Sequence, residues 1–85
     1  MFVLINIIVN INLNLFPQIN VITNFQSLEA CETQYNSTLA RVKGIDKKGI
    51  IKTDEENKKY LEIVDNKNKL KSYWVCNEII FHKKN

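Results

Sequence analysis

Residues 27–43 read Ser27-Leu28-Glu29-Ala30-Cys31-Glu32-Thr33-Gln34-Tyr35-Asn36-Ser37-Thr38-Leu39-Ala40-Arg41-Val42-Lys43, and the fold class turns on this stretch. In one reading Ser27 caps a helix whose apolar stripe is Leu28, Cys31, Tyr35, Leu39 and Val42. In the other, Leu28 to Cys31 is a short strand, Glu32 to Thr38 a polar loop, and Leu39 to Val42 leads into a turn. The run Tyr35-Asn36-Ser37-Thr38 holds several poor helix formers, which favours the second reading. The β reading makes the chain all-β. The helical alternative makes it α+β, with a helix at about 27–43 packed on an antiparallel sheet.

Downstream of this stretch the pattern is β. A turn around Gly44 to Lys48 leads to a strand at Gly49-Ile50-Ile51-Lys52-Thr53, and Asp54 to Lys58 is a polar hairpin tip. Tyr60-Leu61-Glu62-Ile63-Val64 is the next strand and Asp65 to Lys69 a tight turn. Leu70 to Cys76 returns, Asn77-Glu78 breaks it, and Ile79-Ile80-Phe81 makes a last short strand. Upstream, residues 19–25 alternate and read as a strand. Short strands joined by polar turns describe a small barrel, whose closure would remove exposed sheet edges.

Residues 1–16 alternate most strictly. Val3, Ile5, Ile7, Val9, Ile11, Leu13 and Leu15 take the odd positions, and Asn6, Asn10, Asn12 and Asn14 take even ones. Period two is the mark of a strand with one buried face. Thirteen residues would span about 43 Å, so such a strand must bend or break. The rival reading is an export signal or membrane-contacting segment ending near Pro17, although no basic segment precedes the apolar run and no small-residue cleavage site follows. The expected organisation is an N-terminal segment, 1–17, and a small domain, 18–85.

Several of these short motifs resemble the bacterial SH3-like (SH3b) family over roughly residues 20–82. Leu28-Glu29-Ala30-Cys31 stands at that family's first strand, and Gly49-Ile50-Ile51 follows its middle turn. Tyr60-Leu61-Glu62-Ile63 takes the place of a Trp-x-x-Val strand, Asp65-Asn66-Lys67-Asn68 that of the turn, and Tyr73-Trp74-Val75 with Ile79 the closing element. The chain departs from the family at Tyr60 for the first Trp, at Tyr73 for the usual Gly, and in lacking the Arg of the first strand. KOW and Tudor modules share the rhythm of Val42 to Ile51. The resemblance implies an SH3-like barrel and a binding domain of exported proteins, directed at cell-wall polymer or a protein partner.

Charge is unevenly placed. Residues 1–40 carry only Glu29 and Glu32, whereas residues 41–85 hold all 12 basic residues and the other 7 acids, a net +5. Most of the lysines lie among acids at hairpin tips, so the excess reads as solvated surface and nucleic-acid binding is disfavoured. A chain of 85 residues buries only about 60% of its unfolded surface, so it gains much from a crosslink. Cys31 and Cys76, 45 positions apart, are the wrong spacing for a redox or zinc motif. A disulfide between them is expected if the protein is exported; in a reducing compartment they are two small buried side chains.

The inventory for chemistry is poor. His82, the only histidine, sits in the terminal tail without a partner in sequence, and neither cysteine has a neighbouring base. There is no phosphate loop or metal constellation, so no catalysis, cofactor or metal is expected. Binding is better supported. Tyr60, Tyr73 and Trp74, with Lys52 and Lys71 nearby, form the candidate ligand site. Adjacent in a strand, Tyr73 and Trp74 must face opposite sides, one toward the core. The first expectation is a non-catalytic module, periplasmic or secreted, binding wall polymer or protein. The second is a small assembly or accessory protein, cytoplasmic or not, that docks residues 1–16 on a partner or a second copy, and the third is a nucleic-acid-binding small barrel.

Overall fold

A computed structural model describes residues 1–11 and 16–79. Its elements run β1 (Phe2–Asn10), β2 (Gln18–Phe25), α1 (Leu28–Ala40), β3 (Lys47–Thr53), β4 (Lys59–Asp65) and β5 (Leu70–Glu78). The strands form one antiparallel sheet in the order β2-β1-β5-β4-β3, with α1 packed across one side. The described strands leave the sheet open: β2 and β3 are its two edges, and no closed barrel is seen among them.

The helical reading of the deciding stretch is the one the chain adopts, so the expected strand at 28–31 and loop at 32–38 are corrected. Ser27 caps the helix, its Oγ accepting the Ala30 N–H at 3.1 Å, and Glu29 sits in the favourable first turn. The poor helix formers are accommodated by bonding backwards. The hydroxyls of Thr33, Ser37 and Thr38 donate to the carbonyls of Glu29, Thr33 and Gln34, each four residues earlier. Tertiary contacts supply the rest, since Cys31 and Tyr35 are fully buried and Leu39 packs against the same cluster. Leu39 also lies over Gly49 of β3, where a Cβ would meet its Cδ1 at 2.6 Å.

The core is Leu4, Cys31, Tyr35, Leu61 and Cys76, flanked by Phe2, Phe25, Ile51, Ile63 and Trp74. A disulfide joins Cys31 of α1 to Cys76 of β5, with Cα atoms 6.1 Å apart. Since Leu4 pairs with Cys76, the helix covers the even-numbered positions of β1. This reverses the expectation that the apolar odd positions form the one buried face. Asn6 is itself buried toward the helix, because its Nδ2 donates to the Tyr73 carbonyl and its Oδ1 accepts from Asn20.

β1 is an inner strand, paired with β2 on one side and β5 on the other, so Phe2–Asn10 belongs to the same sheet as the rest. Residues 12–15, the later part of the N-terminal alternation, lie outside the described residues. So do Ile80 and Phe81 of the expected last strand, and His82. β5 runs through the expected break, with Glu78 still paired to Phe2. The turns follow the sequence closely. Asp54 Oδ1 accepts the N–H groups of Glu56 and Lys58, and Asp65 Oδ1 those of Lys67 and Asn68. Asn57 and Lys69 take the left-handed backbone that glycine would otherwise supply, at φ 64° and 56°.

Candidate binding face

Residues directly opposite in an antiparallel pair point to the same side of the sheet, so the register assigns every side chain to a face. Tyr60 pairs with Val75 and Lys52, Tyr73 with Glu62 and Ile7, and Lys71 with Val9 and Val64. Four of the five expected site residues, Tyr60, Tyr73, Lys52 and Lys71, therefore share the face turned away from α1. Trp74 stands opposite Asn6 and Leu61 on the helix side, packed against the core.

The open face has two halves. On β2, β1 and the upper part of β5 it is aliphatic: Ile19 and Val21, then Ile5, Ile7 and Val9, then Val75, while Val3 at the end of the same row is buried. Ile19 and Val21 are 65% and 67% exposed, and no described strand or helix packs over them. On β3, β4 and the rest of β5 it is polar and aromatic. The Tyr60 and Tyr73 rings lie 6.1 Å apart, tilted at 51°. Lys52 Nζ stands 3.0 Å from Glu62 Oε1, and Glu62 is only 7% exposed.

These groups are coupled. The Glu62 carboxylate, bonded to Lys52, holds the ammonium above its ordinary pKa. Burial raises the Tyr73 phenol, and the charge of Glu62 and a hydrogen bond to it raise it further. Glu62 was not singled out in the sequence, where it reads as one alternating acid. Its role follows only from its placement between Tyr73 and Ile50 on neighbouring strands. The aliphatic half was legible as an apolar run, but not as an uncovered one.

Among the described residues no three His, Cys, Asp or Glu side chains converge as a metal site. No described helix is long and apolar enough to cross a membrane. The fold and face together define a small disulfide-stapled α+β domain with one uncovered sheet face. Compared with protein-family models, curated proteins and solved structures, the chain matches none of them.

Proposed function

We propose that this protein is a non-catalytic binding module of an oxidising compartment, and that it engages a protein partner through its open sheet face. The observation that carries the reading is the uncovered apolar surface made by β2, β1 and β5. The whole open face, its aliphatic and polar halves together, spans five strands about 4.8 Å apart and some seven residues long, on the order of 600 Å². That approaches the roughly 800 Å² per partner of an ordinary protein interface. Aliphatic side chains at this density suit the apolar side of another protein better than a sugar polymer, which would need ring platforms throughout. Lys48, Lys52 and Lys71 against the single Glu62 favour a partner whose border is acidic.

The resemblance of residues 49–51, 60–63 and 73–75 to bacterial SH3-like motifs would imply a binding domain of exported proteins, whereas residues 28–31, at the place of the family's first strand, are helical here. The Cys31–Cys76 bond supports an oxidising compartment, because such bonds persist where thiols are not kept reduced. Docking through the N-terminal strand takes a changed form in this reading: both edges of β1 are paired, so only its Ile5, Ile7 and Val9 side chains face a partner.

Site-specific photocrosslinking in the producing cell tests this. A crosslinker at Val21 should give one discrete protein adduct, whereas one at Glu29, exposed on α1, should give none. Ile19→Lys should abolish the adduct without unfolding the domain, since that side chain is already mostly in water. Equal labelling from both positions, or none from either, would remove the face from consideration. Cysteines that alkylate without prior reduction would remove the compartment.

A further inference from the structure

A cavity of about 310 Å³ opens on the other side of the sheet, where the end of α1 passes over β4 and β5. Its walls include Ile63, Leu70 and the ring of Trp74. Three cations of the connection between α1 and β3 line it: Arg41 at the helix C-cap, Lys43 in the following loop, and Lys47 at the start of β3. All three are exposed, and none forms an ion pair within 4.0 Å among the described residues. The carboxylate in the lining, Asp65, accepts from the Lys67 N–H, from the Asn68 N–H and from Asn68 Nδ2, and it stands opposite Lys47, whose charge it feels, so it offsets one of the three cations. The carboxyl end of α1 adds about half a negative charge. The balance at the cavity remains positive.

Like charges brought together around an apolar hollow repel one another, and an anion seated there relieves the repulsion. A volume of this size lies at the small end of organic-ligand sites, which run from about 300 to 1,000 Å³. We propose that the cavity binds a small amphipathic anion: a single-ring apolar body against Ile63, Leu70 and Trp74, its phosphate or carboxylate head held by Arg41, Lys43 and Lys47. The site lies on the face opposite the protein-binding surface and does not rest on that reading. Shape sets the body and charge sets the head, so neither a neutral ring nor a bare ion satisfies both walls.

Trp74 is the chain's only tryptophan, so its indole N–H gives one resonance in an amide proton spectrum. Phenyl phosphate titrated into the intact, oxidised protein should move that resonance saturably. Phenol and inorganic phosphate at equal concentration should each move it far less. Arg41→Gln/Lys43→Gln/Lys47→Gln, all at exposed positions, should weaken phenyl phosphate at least about tenfold with the remaining amide pattern preserved. Lys47→Gln alone should weaken it by a smaller factor, which keeps the test open if the triple variant does not fold. Ile19→Lys should leave the titration unchanged, separating this site from the open face. An indole resonance that stays still would overturn the proposal, as would an equal response to phenol or an unaltered response in a folded triple variant.

Discussion

Tyr35 is the largest side chain in the core, 1% exposed, with its hydroxyl donating to Glu32 Oε2 at 3.0 Å. Burial, reinforced by the hydrogen bond to Glu32 and its charge, raises the phenol to about 12 from its ordinary value of 10.0. A raised folded pKa contributes stability that is complete below the unfolded value and is lost as pH climbs through the folded one. The domain should therefore weaken in urea as pH rises from about 10 toward 12. Tyr35→Phe should flatten that step while costing about 1 kcal/mol at neutral pH for the lost hydrogen bond. An alkaline step that survives in the variant would assign it to another group. The same scale explains the division of the candidate site. Tyr73 and Trp74 are consecutive in β5, so the pleat alone sends one to the open face and the other to the helix.

At the scale of elements, the helix was decided against its own propensities. Asn36, Ser37 and Thr38 argue for a loop, yet the cap at Ser27 and the burial of Cys31 and Tyr35 outweigh them, while the Ser37 and Thr38 hydroxyls find partners in carbonyls four residues back. The strands were easier: β3, β4 and β5 lie within a few residues of where alternation and turn residues put them, because their turns depend on local side-chain bonds at Asp54 and Asp65. Leu39 of α1 lies directly over Gly49 of β3. Gly49→Ala should cost about 1 kcal/mol by urea denaturation, because Leu39 must leave its place against β3. Leu39→Val in the same chain should recover part of that loss. Additive costs in the double variant would show that the two residues do not press on each other.

For the whole molecule, one covalent bond ties the helix to the sheet. In the loop-entropy account a crosslink across 45 residues contributes about 4 kcal/mol. That is a large share of the ~5–15 kcal/mol that holds ordinary domains folded. Cys31→Ser/Cys76→Ser should lower the unfolding free energy by about that amount, read from urea curves beside the oxidised protein. A difference under about 1 kcal/mol would mean that the core alone carries the fold. The sequence by itself determined the strand positions from Gly49 to Cys76, the turns at Asp54 and Asp65, and that Cys31 and Cys76 could pair in an oxidising compartment, because each rests on neighbours or on residue chemistry. Only the tertiary structure decided that residues 28–40 are helical and that Asn6 is buried while Ile19 and Val21 are not. It also set the connection of residues 41–47 beside Ile63, Leu70 and Trp74 of distant strands, around one cavity. The reason is that period two shows a strand has two unlike faces, but which face is covered depends on where a distant helix lands.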